Sequence, residues 1–371
     1  MGYGPRESSS SWRSLLDSCL GATRGAGDEI RASHEPGQQA PFVTDKDRLS
    51  SLLSPVASSS DLHEFTYAEL RAATGGFASR NIIGEGGFGA VYRGSLEDGV
   101  RPGLVAQAVA VKRGLANDYV EELLKEAMFV AQLQHRHPSL VKMIGYCYHG
   151  NQRLLVYEFM GHGSLDNYLS KPIRSVLPWS TRLSIVLATA KGLASVHGEE
   201  KPLVCSQFNA SNILLDSNND VKISLSDLRL NTRSLDGTED TTRVGRSMRG
   251  CAPEYIMLGH LTVKSVVYSF GVVMLEILIT GKTSFDLTRP AKKRHSVDYA
   301  RPCLKDPRRL ARIMDRALKG VYPVAATQKV ALLAYKCLRA NPKRRPDMSA
   351  VLEALDHVTA IADVEETPMI L

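Results

Sequence analysis

The chain has 371 residues, 43% of them hydrophobic and 23% charged, with a net charge of +7. That length accommodates two lobes plus a tail at roughly 100 to 200 residues per domain. The basic excess suits an acidic partner or a membrane face, and with no aromatic-interleaved basic stripe it argues against a nucleic-acid binder. The dense run Lys292-Lys293-Arg294 reads as a solvated loop. Cysteines at positions 19, 147, 205, 251, 303 and 337 form no CxxC pair, so reduced thiols in a cytosolic setting are expected. The best apolar run, Phe270 to Ile279, is interrupted by Glu276 and falls short of the roughly 18 residues that cross a bilayer. No apolar h-region of a secretory signal opens the sequence.

In chain order, residues 1–60 are rich in Ser, Gly and charge, with few periodic apolar positions to offset the entropy of ordering, and are expected to form a disordered arm. Within the arm Trp12 to Leu20 is a short amphipathic island. Met1-Gly2 lacks the Ser or Thr that myristoylation wants at position 6, where Arg6 stands. Cys19 is a lipidation candidate that would hold the arm on a membrane surface; the alternative is an unmodified thiol. From Phe65 the texture changes, and Ile82-Ile83, Val91-Tyr92 and Ala108 to Val111 read as strands of a small sheet. Val120 to Leu133 has helical periodicity, and long helices are predicted over 180–197, 264–281 and 326–338. The expected fold class is therefore α+β: a small β-rich lobe with its hinge over 61–160, a larger helical lobe over 161–358 and a tail over 359–371.

Gly84, Gly86 and Gly89, with Val91, complete a G-x-G-x-x-G-x-V pattern between two strands, where glycines let backbone N–H groups approach phosphates. A tight hairpin without ligand would use the same glycines. Lys112 follows in Val109-Ala110-Val111-Lys112, and Glu126 sits on the next helix, spaced for a Lys–Glu pair that aims the ammonium at phosphates, with Glu121 and Glu122 as less well placed rivals.

These motifs, together with Leu154 to Met160 and Tyr255 to Gly271, resemble a plant receptor-like cytoplasmic kinase over about residues 62 to 358. The resemblance implies a bilobal protein-kinase fold with an ATP-type pocket in the cleft and a hinge around Glu158 to Met160. It places Val91, Ala110 and Leu214 on either side of the adenine base, and none of them is a blocking side chain. Ala252-Pro253-Glu254 matches the A-P-E motif, and Arg345 supplies the arginine that would pair with Glu254.

In this family the catalytic loop reads H-R-D-x-x-x-x-N, the Asp serving the substrate hydroxyl and the Asn holding Mg²⁺. Asn212 matches the Asn. Five positions earlier stands Gln207, in Cys205-Ser206-Gln207, and an amide cannot take a proton. Asn209 stands where relatives carry a phosphate-steering lysine. The D-F-G aspartate should fall at 225, which is Leu225; Asp227, two residues on, is either a substitute metal ligand or a solvated loop residue. Val266 replaces an aspartate that in the family accepts backbone N–H bonds from the catalytic loop. A positioned proton acceptor contributes about 10² to 10⁴ in rate, and electrostatic stabilisation of the transferring phosphoryl group is usually the larger contribution.

The resemblance therefore implies a pseudokinase that keeps an ATP pocket, holds Mg²⁺ weakly or not at all, and acts as scaffold, decoy or allosteric partner of receptor kinases or active cytoplasmic kinases. The alternative is a serine/threonine kinase of low activity, with Gln207 orienting the hydroxyl and Asp227 holding metal. A gene copy without function is a third reading. Thr238, Thr241, Thr242 and Ser247 are candidate activation-loop phosphosites. With Ser206 in place of the clamping arginine, phosphorylation there is expected to order the loop little. The expected location is cytoplasmic, peripheral at the plasma membrane.

Overall fold

The computed structural model describes residues 62–85, 89–115, 131, 136–170, 176–199, 202–205, 208–224, 228–230, 250–283 and 296–366. The predicted helix over 120–133, the basic run at 292–294 and the arm with Cys19 lie outside these residues.

The first lobe is a six-stranded sheet in the order β1-β5-β6-β4-β3-β2, built from β1 (His63–Glu64), β2 (Ile82–Glu85), β3 (Ala90–Leu96), β4 (Gln107–Leu115), β5 (Met143–His149) and β6 (Gln152–Glu158). All pairings are antiparallel except β1 with β5. Period-two alternation divides β3, β4 and β6 into two faces. Tyr92, Val109, Val111, Leu154 and Val156 turn into a buried cluster with Phe65, Leu70 and Phe77. Val91, Ala110, Lys112, Leu155 and Tyr157 share the other face: Val91 pairs with Lys112, Lys112 with Leu155 and Ala110 with Tyr157.

A helix precedes the sheet proper, α1 (Tyr67–Ala73). Thr66 caps it by accepting from the Glu69 N–H, while the Glu69 carboxylate accepts from the Thr66 N–H at 2.7 Å. The S/T-x-x-E spacing of this capping box was present in the sequence. Arg101 clamps the same carboxylate at 2.6 Å.

The second lobe opens with β7 (Gly163–Ser164) and α2 (Leu165–Ser170), and its main helices are α3 (Trp179–His197), α4 (Pro253–Leu258) and α5 (Val263–Met274). It closes with the short α6 (Ser296–Ala300) and α7 (Pro307–Ile313), then α8 (Val324–Cys337) and α9 (Met348–Glu366). On α3 the buried positions Trp179, Leu183, Val186, Ala190 and Leu193 recur at three- and four-residue spacing, and Met348, Val351, Leu355, Val358 and Ala362 do so on α9. Both stripes face one core with Phe270, Val273, Leu278, Val330 and Ala334. Helix α9 passes through residue 358, where the sequence places the lobe's end, because its buried stripe continues to Ala362.

The predicted helix 264–281 is present but changes pitch: α5 runs on into a π-helical turn, Leu275–Thr280, in which the Thr280 hydroxyl donates to the Leu275 carbonyl five residues back. One expectation is corrected here. By length and composition Val263–Thr280 is apolar enough to cross a membrane, with a mean hydropathy of 1.7 over 18 residues, and 78% of it is buried inside the lobe. It is the central core helix, and its apolar character is satisfied by packing on α8 and α3.

Small strands frame the floor of the cleft. β9 (Ile213–Leu215) lies between β7 and β10 (Val221–Ile223), and β8 (Leu203–Cys205) pairs with β11 (Leu228–Leu230).

Candidate functional site

The cleft face of the sheet is where the phosphate cradle and adenine slot were expected. Strands β2 and β3 form an antiparallel hairpin, Gly84 opposite Val91 and Glu85 opposite Ala90, whose tip at 86–88, with Gly86, lies outside the described residues. The glycines have different reasons for being glycine. Gly89 has φ +147°, and a Cβ there would lie 2.0 Å from the Arg113 carbonyl oxygen on β4, so the sheet itself excludes a side chain. A Cβ on Gly84 would meet nothing within 4 Å. Packing therefore does not require a glycine at position 84.

Val91, Ala110 and Leu214 are each half-buried, while the neighbours Val109, Val111, Ile213 and Leu215 are fully buried. Alternation therefore leaves an apolar, accessible strip on β3 and β4 and another on β9, as an adenine slot requires. Lys112 is buried on the same face as Val91 and Ala110. Its expected partner Glu126 lies outside the described residues. Tyr157, opposite Ala110, has its phenol pKa pushed well up by burial, so it stays neutral.

At the hinge the Glu158 side chain is committed to the protein. Its carboxylate binds the Lys222 ammonium at 2.6 and 2.7 Å and accepts from the Lys142 N–H at 2.6 Å, while its own N–H donates to the Lys142 carbonyl. The Met160 carbonyl accepts from the Gly163 N–H. A base at this hinge would therefore have backbone groups to meet rather than the Glu158 carboxylate.

The described residues of the loop after β8 bond to neighbouring protein groups. Asn209 begins a 3₁₀ turn, Ala210–Asn212, and its side-chain oxygen accepts from the Ser211 N–H and hydroxyl at 2.9 and 2.6 Å. Asn212 accepts from the Asn209 N–H at 3.0 Å and donates to the Ser224 carbonyl at 3.2 Å, while the Ser224 N–H returns a bond to the Asn212 carbonyl at 2.7 Å. Asn212 thus ties the turn to the end of β10. Pairing of Leu228 with Cys205 brings together the strand ends that lead to the two degenerate motifs. Gln207, Leu225 and Asp227, and the phosphosite candidates Thr238, Thr241, Thr242 and Ser247, lie outside the described residues. Val266 is 1% exposed, sealed in the hydrocarbon core.

The expected pair below the cleft is formed. The Arg345 guanidinium donates to both Glu254 oxygens, at 2.6 and 2.8 Å, and the Ser265 hydroxyl adds a third bond at 2.9 Å. The five cysteines among the described residues, Cys147, Cys205, Cys251, Cys303 and Cys337, are free, and burial pushes the Cys251 thiol to about 11 and Cys147 to about 11, so neither is a ready nucleophile.

A cradle hairpin, a buried lysine opposite its valine, and an Ala-Pro-Glu glutamate bound by a distant arginine occur together in a β lobe followed by a helical lobe. The family model of protein tyrosine and serine/threonine kinases matches residues 77–355. The chain belongs to that kinase family. Among curated proteins it is 50% identical over 329 residues to the EPD1-interacting receptor-like cytoplasmic serine/threonine-protein kinase of Nicotiana benthamiana, covering 87% of this chain and 69% of that one. It is 49% identical over 319 residues to the serine/threonine-protein kinase PBL13 of Arabidopsis thaliana, covering 85% and 64%. A third relative, the probable serine/threonine-protein kinase PBL8 of Arabidopsis thaliana, is 48% identical over 303 residues, covering 81% and 73%. The kinase domain described here is thus related to plant receptor-like cytoplasmic kinases, and the chain spans about two thirds of the length of the first two relatives.

Two features escaped the sequence reading. The Asn209–Asn212–Ser224 brace has no signature in residue type, because Asn at these positions serves a metal, a substrate or a turn equally well. A basic cluster at Arg308, Arg309, Arg312 and Arg316 was legible as three- and four-residue spacing, and the denser run at 292–294 drew the eye instead.

Proposed function

We propose that this chain is a catalytically impaired member of its kinase family that keeps a nucleotide pocket and acts as scaffold, decoy or allosteric partner in receptor-linked phosphorylation signalling. The observation that carries the reading is the pair Gln207 and Leu225, at the two positions where the family's chemistry needs carboxylates. Asn212 supports it: its amide already braces the turn to β10. The retained slot supports the pocket, since Gly84 stands in open space and Val91, Ala110 and Leu214 present accessible apolar surface. ATP would place its base against those three side chains and its phosphates toward Lys112 and the hairpin amides. Mg²⁺ fits poorly, because Leu225 offers no donor.

Kinship with receptor-like cytoplasmic kinases makes receptor kinases and active cytoplasmic kinases the natural partners, and Cys19 on the arm is the candidate tether to the plasma membrane. In a phosphotransfer assay the purified chain is expected to match a Lys112→Met control. Activity abolished by Lys112→Met would overturn the impaired reading and establish a working, atypical kinase. ATP is expected to raise the melting temperature with little dependence on Mg²⁺, by the mass-action relation RT ln(1 + [L]/Kd). No shift at saturating ATP would mean that the pocket is vestigial.

A further inference from the structure

A cavity of about 410 Å³ opens in the helical lobe, far in sequence from the cradle, between the loop that follows the π turn and the segment that ends α7. Its walls carry Lys282, Arg312 and Arg316, with Tyr299 and Ile313. The one carboxylate among the described lining residues, Asp315, is neutralised from behind. Buried Arg182 donates to it at 2.7 Å, and its second oxygen accepts from the Ala317 N–H at 2.9 Å. Arg182 itself is fixed by the Leu177 and Ile277 carbonyls. Gly281, at φ +62°, lies so close that a Cβ would sit 2.1 Å from the Asp315 oxygen, so the floor of the cavity tolerates no side chain at that position. Among the described residues no carboxylate pairs with Lys282, Arg312 or Arg316.

Three uncompensated cations around a cavity with a rigid, internally neutralised floor form an anion site rather than a solvated face. Two guanidiniums and an ammonium match a dianionic phosphate, which accepts several charge-assisted bonds at once. The exposed Tyr299 ring and Ile313 add apolar surface for the group that carries it. The volume falls in the range of small-ligand pockets. We propose that this cavity is a phosphate-monoester site that takes the phosphorylated side chain of a partner protein. A protein source is favoured by the family itself, whose members place phosphate monoesters on protein side chains. A bilayer headgroup would instead suit cations projecting from a flat or convex face. The site stands apart from the nucleotide cleft, so it does not depend on whether this chain transfers phosphate.

The test uses the full chain and a short capped phosphoserine peptide with glycine and alanine flanks, followed by calorimetry. Binding is expected for this peptide and not for its unphosphorylated twin. Arg312→Ala and Arg316→Ala should each weaken it at least about tenfold, the loss of one charge-assisted bond. Arg316→Lys, which keeps the charge without the two-pronged geometry, should weaken it less. Both positions are exposed, and unchanged melting temperatures of the three variants would confirm intact folding. Failure of the peptide to bind, or binding indifferent to both alanine variants, overturns the proposal. So does inorganic phosphate bound as tightly as the peptide, which would mean an adventitious ion only. Capture by phosphatidylserine vesicles that the variants abolish, with no peptide binding, overturns it in favour of a membrane contact.

Discussion

The hub at the base of the helical lobe buries full charges in matched pairs, whereas the strip between β8 and β10 holds neutral amides and hydroxyls that satisfy one another. In the hub the Arg345 side chain is 0% exposed and Glu254 12%. Carbonyls of Arg339, Lys264 and Ala340 take the remaining guanidinium protons. In the strip Asn209, Ser211, Asn212 and Ser224 close a network that needs no ion. A buried charge is costly unless its partner is held at short range, so the hub is intolerant of loss. Neutral groups satisfy each other at little cost, so the described part of the strip keeps its shape without an ion pair.

The largest effect that would break this contrast is in the hub. Arg345→Ala should destabilise the chain by about 3–5 kcal/mol, the penalty for stranding a buried carboxylate, read from urea unfolding. Glu254→Ala should do similar damage, and removing both should cost clearly less than the sum because one interaction is shared. Additive losses would mean that the two residues act separately and that the hub is no more specialised than the strip.

His197, at the end of α3, is the exception, a titratable group whose ring nitrogens are buried with no hydrogen-bond partner among the described residues. Both ring nitrogens are sealed from solvent, and burial pulls its pKa down to about 4, against the opposing pull of Asp347. The folded chain thus refuses a proton that the unfolded chain accepts near 6.5. Stability should be full above that value and fall by roughly 3 kcal/mol as pH drops toward 4, where the folded state begins to protonate. Other groups titrate in the same window, so the measurement is the difference in unfolding free energy between the native chain and His197→Phe across it. A constant difference would place the ring in contact with water.

Much of the architecture was legible because it is written in periodicity. The alternation at Ala108 to Val111 and the three- and four-residue spacing on α3, α5 and α8 name both the elements and their buried faces. The Glu254–Arg345 pair was legible only through resemblance, since the residues are far apart in sequence and nothing local links them. The π turn was not legible, because Leu275 to Ile279 is apolar in any helical pitch. Nor was the sealed Val263–Thr280 helix separable by composition from a membrane span, since only tertiary packing distinguishes them. At the site, Gly89 and Gly84 look identical in sequence; only the structure shows that the Arg113 carbonyl excludes a side chain at Gly89 while open space surrounds Gly84.

The smallest expected effect lies in the strip and sharpens the contrast most. Asn212 makes two side-chain bonds, to the Asn209 N–H and the Ser224 carbonyl, and sits half-buried. Asn212→Ala should therefore cost about 1–2 kcal/mol, two neutral bonds whose partners regain water only in part. If bracing is its whole role, that loss is the same with and without Mg²⁺, and the melting shift produced by ATP survives, because the shift draws on the apolar slot and Lys112. A residue that also served as metal ligand would show the same loss in the free protein and would, in addition, abolish a Mg²⁺-dependent part of the ATP shift. Measuring the native chain and the variant with ATP alone, Mg²⁺ alone and both separates the two roles. A Mg²⁺-dependent gain lost in the variant would give the strip back its ionic chemistry and erase its difference from the hub.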